Sequence, residues 1–157
     1  MPKIDVSKAQ VSKGSRYPKP FDEPCQKREN LRLAPAGGLT QIGANITTLK
    51  PGAWSSQRHW HGKEDEFIYM LSGELVLIED EGETIMRAGD CAAWKAGVPN
   101  GHHLVNRSNA DASFLVVSSI DPGDYGEYPD IDLRFGREKA PPEQGPGGYT
   151  HKDGTKY

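Results

Sequence analysis

Residues 51–73 read PGAWSSQRHWHGKEDEFIYMLSG. His59 and His61 stand two apart, and in an extended strand residues two apart project from the same face. Both imidazoles can therefore enter one cavity. The separation from His61 to Glu66 is odd, so a turn through Gly62-Lys63 must reset the register. Glu66 is then in phase with Ile68 and Met70, which suit an interior wall. Glu64 and Asp65 are expected to be solvated turn residues. The stretch closes on Ser72-Gly73, a turn signal.

A second cluster lies some forty residues on, where residues 89–106 read GDCAAWKAGVPNGHHLVN. Imidazole and carboxylate are the usual protein ligands for divalent zinc, iron, manganese and nickel. A third imidazole from His102 or His103 would complete a mononuclear site with His59, His61 and Glu66. Strand parity bears on the choice. His102, Leu104 and Asn106 share one face; His103, Val105 and Arg107 share the other. A permanently charged Arg107 is costly inside a small barrel, so its face should be the outer one, and His102 points inward. His151, in a polar tail, belongs to neither cluster.

Outward from these motifs the chain reads as short strands. They are expected at residues 39–49, 57–61, 67–71, 74–79, 83–87, 91–94, 102–106 and 114–119. Between them lie turns such as Glu81-Gly82, Ala88-Gly89-Asp90 and Asn109-Ala110-Asp111. Many short strands with Gly-containing turns indicate an antiparallel sandwich or barrel. Residues 1–36, proline-bearing and without a helical or strand period, read as an extended N-terminal arm. Residues 37–122 form the barrel domain, and 123–157 a C-terminal extension. Its last stretch, from Gly136, is expected to be disordered or draped over a neighbour. Phe67, Tyr69, Leu71, Leu75 and Leu77 give the strands an apolar character that one barrel cannot bury on both sides. A homodimer follows, with the arm laid across the partner through anchors such as Tyr17, Phe21, Leu31 and Leu33.

Composition removes several classes. The chain has 157 residues, one domain's worth, and a net charge of −3 with acids and bases interspersed, so neither nucleic acid nor an acidic lipid surface is an expected partner. Its two cysteines are too few for a disulfide framework. Cys91 reads as a small buried residue at a strand start. No window approaches a membrane span, and the expectation is a soluble cytoplasmic protein. Trp54, Trp60 and Trp94 read as core and rim packing.

Together the two stretches resemble the paired motifs of the cupin superfamily, as found in its small single-domain members. Gly52, His59, His61, Glu66 and Gly73 occupy the places of the first motif; Gly89-Asp90, Gly97, His102 and Asn106 match the second. Three departures stand out. Six residues rather than five separate Gly52 from His59, Lys95 replaces the usual proline, and Asn100 sits where the compact second motif places its histidine. The resemblance implies an all-β, double-stranded β-helix (jelly-roll) barrel holding a divalent metal ion on three histidines and one glutamate. It also implies a small-molecule substrate. The expected activity is that of a metal-dependent isomerase or epimerase on a sugar-like or hydroxyacid metabolite, the alternatives being an iron-dependent dioxygenase or a non-catalytic binding cupin. No catalytic base is legible: His103, Tyr69, Glu74 and Glu64 titrate near the motifs, but none is in an evident interior phase.

Overall fold

The computed structural model of the protein describes residues 3–136 and 148–157. Their strands are β1 (Gln10–Lys13), β2 (Arg28–Arg32), β3 (Ile42–Leu49), β4 (Trp60–His61), β5 (Glu66–Ser72), β6 (Glu74–Glu79) and β7 (Gly82–Arg87). They continue with β8 (Cys91–Trp94), β9 (His103–Val105), β10 (Ala112–Ser119), β11 (Tyr125–Tyr128), β12 (Leu133–Gly136) and β13 (Tyr149–Thr150). Every pairing is antiparallel. A six-stranded sheet runs β1-β2-β3-β10-β5-β8, a four-stranded sheet β13-β12-β11-β4, and a three-stranded sheet β7-β6-β9. The strand pattern implied an antiparallel sandwich or barrel and the cupin resemblance a jelly roll, and this is the jelly-roll fold. No helix among the described residues is long and apolar enough to cross a membrane.

The core fills the space between the six- and three-stranded sheets. Leu49, Ile68, Met70 and Phe114 come from one side and Leu75, Leu77, Met86 and Leu104 from the other. Each such buried side chain contributes roughly 1.5–3 kcal/mol of transfer free energy, so the core does not depend on His59, His61, Glu66 or His102. Gly73 turns β5 into β6 at φ 76°, and a Cβ there would lie 2.7 Å from the Ala112 Cβ. Only glycine satisfies both demands.

Four features differ from the sequence expectations. The N-terminal arm supplies β1 and β2, which extend the chain's own sheet beside β3. Neither strand has an apolar face, with β1 exposed throughout and β2 half-buried, so no hydrophobic period announced them. Leu75 and Leu77 are buried in the core and do not join the outer apolar face, because β6 turns these two residues, not Val76 and Ile78, toward the six-stranded sheet. Cys91 is exposed while Cys25 is buried, since Cys91 is out of phase with the inward Ala92–Trp94 side of β8. Of the tail, residues 137–147 lie outside the described residues. Residues 148–157 pack on their own chain, with the Tyr157 hydroxyl donating to the Asp132 carbonyl at 2.5 Å.

Asn106, the last residue of the second motif, is completely buried and has a structural role. Its amide nitrogen donates to the carbonyls of Leu49 and Ala110, each at 2.8 Å, and its oxygen accepts from the Ser108 backbone N–H and hydroxyl. It ties β3 to the loop that leads into β10. Asn106→Ala removes the side-chain donor to the buried Leu49 carbonyl and the acceptor of the half-buried Ser108 N–H, and should cost roughly 2 kcal/mol in a denaturant melt without removing any group from the cavity described next.

Candidate metal centre

His59 and His102 are direct cross-strand partners. The His59 N–H donates to the His102 carbonyl at 3.3 Å, and the His102 N–H to the His59 carbonyl at 2.9 Å. The pairing places the two rings side by side, 5.6 Å between centroids. His61, in β4, pairs with Gly126 of β11. Glu66 opens β5 opposite Trp94 of β8. Trp94 in turn stacks flat on His102, 3.8 Å between centroids at 7°, and is itself fixed by its indole N–H to Glu79 at 2.8 Å.

Each of the three rings has its Nδ1 held by an oxygen. The acceptors are the Gln57 carbonyl for His59 (2.9 Å), Asp124 for His61 (2.7 Å) and the Asn100 carbonyl for His102 (3.1 Å). An Nδ1 that donates to oxygen leaves the Nε2 lone pair as the ring's free ligand. The donor atoms of His59, His61 and Glu66 all lie within 4.8 Å of one another, and His102 joins this group through Glu66. His59 Nε2 and His61 Nε2 are 3.2 Å apart, and Glu66 Oε2 stands 3.7 Å from His61 Nε2 and 3.6 Å from His102 Nε2. Two donors each about 2.1 Å from one ion lie roughly 3–4 Å apart, the spacing seen here. His102 Nε2 is buried without a hydrogen-bond partner, an arrangement that costs free energy unless something else takes the lone pair. The residues present therefore fit a divalent ion.

Burial, with the neighbouring imidazoles His61 and His102, pushes His59 down to about 3, so it is a neutral donor over the whole working range. Burial pulls His61 the same way, but its hydrogen bond to Asp124 outweighs this and leaves it raised. Burial alone would keep Glu66 protonated; the surrounding imidazoles, His102 first, hold it at about 2 and therefore ionised.

The structure places the residues singled out in the sequence as follows. His59, His61, Glu66 and His102 are brought together. His103 is equally buried, but its Nδ1 donates to the Ser56 carbonyl at 2.9 Å and its ring packs edge-on against Trp54. Arg107 is exposed and paired with Glu83, as the parity reading required. Tyr69 is exposed, and Glu74 pairs with Arg87. His151 pairs with Asp132 and stacks on Tyr157, away from the cluster.

Glu64 departs from its reading as a solvated turn residue. It is half-buried, accepts from the Asp121 N–H at 2.9 Å, and lies with His61 and Asp124 in a second carboxylate–imidazole group. Asp124 itself was not legible. It also accepts the Lys63 N–H at 2.8 Å, and only the pairing of β11 with β4 brings it behind His61. Its one sequence signal is a turn-forming Asp-Pro-Gly-Asp.

Comparison with known proteins agrees with this geometry. Residues 45–118 match the cupin domain model. No curated protein sequence matches the chain. Among solved structures, a sugar phosphate isomerase of the cupin superfamily from Silicibacter pomeroyi is 42% identical, with 99% of this chain and 96% of that one covered at a TM-score of 0.91. A protein from Acidithiobacillus ferrooxidans is 24% identical over 83% of this chain and 80% of its own, with a TM-score of 0.72. A polyketide cyclase from Streptomyces resistomycificus is 20% identical over 77% and 80%, with a TM-score of 0.62. The last two show the fold alone. With both motifs in place on this jelly roll, and a relative of this identity along nearly its whole length, the chain belongs to the cupin superfamily.

Proposed function

We propose that His59, His61, Glu66 and His102 hold one divalent metal ion, and that the protein is a metal-dependent enzyme of isomerase or epimerase type acting on a sugar-like or hydroxyacid metabolite. The convergence of three Nε2 lone pairs on an ionised Glu66 carries this reading. The 42%-identical sugar phosphate isomerase supports its substrate class. When bound, the ion supplies Lewis acidity toward a carbonyl or hydroxyl oxygen.

The chain's own residues do the rest. The cavity of ≈220 Å³ above the cluster is apolar along Ile68, Phe114 and Val116, and polar along Asn45 and Thr47. The first side excludes water, and the second offers hydrogen bonds that orient hydroxyl groups. Tyr17 also lines this cavity. Burial, reinforced by nearby Tyr149, pushes its phenol well above the ordinary value, so it stays protonated. Tyr128 donates to its oxygen at 3.4 Å, which leaves the Tyr17 proton as a donor to a substrate oxygen.

Asp124 acts through His61. It fixes the ring and raises the basicity of Nε2. Asp124→Asn should weaken metal binding by roughly 10–100-fold and alter its pH dependence. His61 is raised in the native protein and must shed a proton to bind, so affinity falls as pH drops through that raised value. Without the carboxylate the fall moves to lower pH. Metal titrations of both proteins across pH check this; identical profiles would remove Asp124 from the role.

For the ligands, His59→Ala combined with His61→Ala should abolish stoichiometric metal by elemental analysis while the fold persists, because the core carries it. Full metal content in the double variant would sink the assignment. Iron accompanied by oxygen uptake would instead favour a dioxygenase.

The same proposal includes a homodimer. Register aligns Val11, Leu31, Ile46, Leu115, Tyr69 and Cys91 in one row across the outer face of the six-stranded sheet. Beside Tyr69, Phe67 and Leu71 are 39% and 44% exposed. A second copy related by a two-fold axis would cover this face. Light scattering should give twice the monomer mass, and Tyr69→Lys should give the monomer.

A further inference from the structure

The cavity above Glu66 does not end at the metal ligands. Tyr17, Arg28, Asn30 and Asn45 line it, and the same four residues line a second hollow of ≈440 Å³ at the β1–β2 edge. With these four side chains between them, the two chambers are therefore adjacent. They differ in charge. The outer chamber carries Lys13, Arg16, Arg28 and Arg32 and not one carboxylate, in a chain whose net charge is −3.

Lys13 is neutralised by Glu29 at 3.0 Å. The three arginines are not. Arg28 is half-buried and spends its guanidinium on the carbonyls of Gly14, at 2.9 Å and 3.3 Å, and of Ser55. These bonds fix it in place without cancelling its charge. Arg16 and Arg32 form no ion pair among the described residues. Two amides complete the wall. Asn30 accepts from the Thr47 hydroxyl at 2.8 Å, which turns its NH2 group away as a donor. Asn45 has no side-chain hydrogen bond among the described residues.

Strand register sets the distance between the two chambers. Arg32 is aligned with Asn45, Asn45 with Val116, and Val116 with Ile68. Ile68 is the next residue on the face of Glu66. The arginine strand and the glutamate strand are thus three strand spacings apart, roughly 14 Å. A small anion touches only one end. A polyhydroxylated chain with a terminal charged group touches both.

We propose that the outer chamber is an anion subsite for the phosphoryl group of the substrate, formed by Arg16, Arg28 and Arg32 with the amides of Asn30 and Asn45. The orientation of the substrate, with its hydroxylated end over Glu66 and the histidines, rests on the metal-enzyme reading above; the anion subsite does not. Three uncompensated guanidinium groups match a phosphoryl dianion better than a single carboxylate, and guanidinium binds such oxygens in forked pairs.

Calorimetric titration of the full-length protein with inorganic phosphate tests this, once with metal bound and once after chelation. Saturable binding at one site is expected in both forms. Arg16→Gln with Arg32→Gln should weaken it by roughly tenfold or more, the effect of losing about 1.5 kcal/mol of charge-assisted hydrogen bonding. Asn45→Asp, which sets a carboxylate in the wall, should weaken it likewise. Arg107→Gln, which removes an equal charge on an exposed face, should not. Phosphate binding that is absent, unchanged in these variants, lost on chelation alone, or matched by acetate would overturn the subsite. If the ligand variants retain full metal content while the arginine variants still lose phosphate, the metal reading falls and the subsite stands.

Discussion

Three imidazole rings can serve one ion only if each presents a lone pair to the same point, and a free histidine has no reason to do so. Here an oxygen acceptor at every Nδ1 removes the choice of tautomer and of ring flip. Two of the acceptors, the Gln57 and Asn100 carbonyls, lie two residues before the rings they fix, so that geometry is written into the local backbone. The third is Asp124, far away in sequence. The four-stranded sheet therefore does more than cover one side of the barrel. By pairing β11 with β4 it delivers the carboxylate that completes the set. Gly126 permits the approach: a Cβ there would lie 2.1 Å from the Trp60 carbonyl oxygen.

Stability and chemistry occupy different parts of one surface. The inner face of the six-stranded sheet is apolar where Leu49, Ala112, Phe114 and Met70 meet the three-stranded sheet. Further along the same strands it carries Arg28, Asn30, Asn45 and Glu66 around open space. Unfilled polar volume weakens a core, because its lining atoms lose dispersion contacts. The fold tolerates this because the polar groups lie at the sheet's margins, where water or a ligand can satisfy them. Asn106 shows the opposite case. It is a motif residue in the dry region, and protein groups meet its hydrogen-bonding capacity.

The central strands were legible because one face of each is apolar and a glycine turn follows. The predicted strand over residues 74–79 coincides with β6, and that over 91–94 with β8. The four proposed ligands came from the same phase reasoning, with the charge on Arg107 favouring His102 over His103. Five strands escaped it. β1 and β2 turn polar residues toward a polar chamber, so burial left no hydrophobic alternation to read. β11, β12 and β13 are at most four residues each, too short for a period, with Gly126 and Gly136 interrupting them. Asp124 and Glu64 could not be assigned for a related reason. Their placement depends on β11, and a carboxylate in a turn reads as solvated until a distant strand covers it.

The opposite shifts of His59 and His61 follow from the same difference in partners. Both rings are buried among the same groups, and burial disfavours the charged form of each. His59 has a neutral carbonyl at Nδ1, so burial prevails and the ring is held neutral. His61 has a carboxylate there, and its attraction outweighs burial. Asp124 is depressed in return, its own burial overcome by the His61 hydrogen bond and the Lys63 N–H. One ring is therefore ready to accept an ion without losing a proton, while the other must give one up. The carboxylate that withholds that proton also makes the nitrogen a stronger donor once the proton has gone. The His61–Asp124 pair thus makes the cluster less ready for an ion as pH falls, while His59 and the ionised Glu66 keep two sides of it available down to about pH 3.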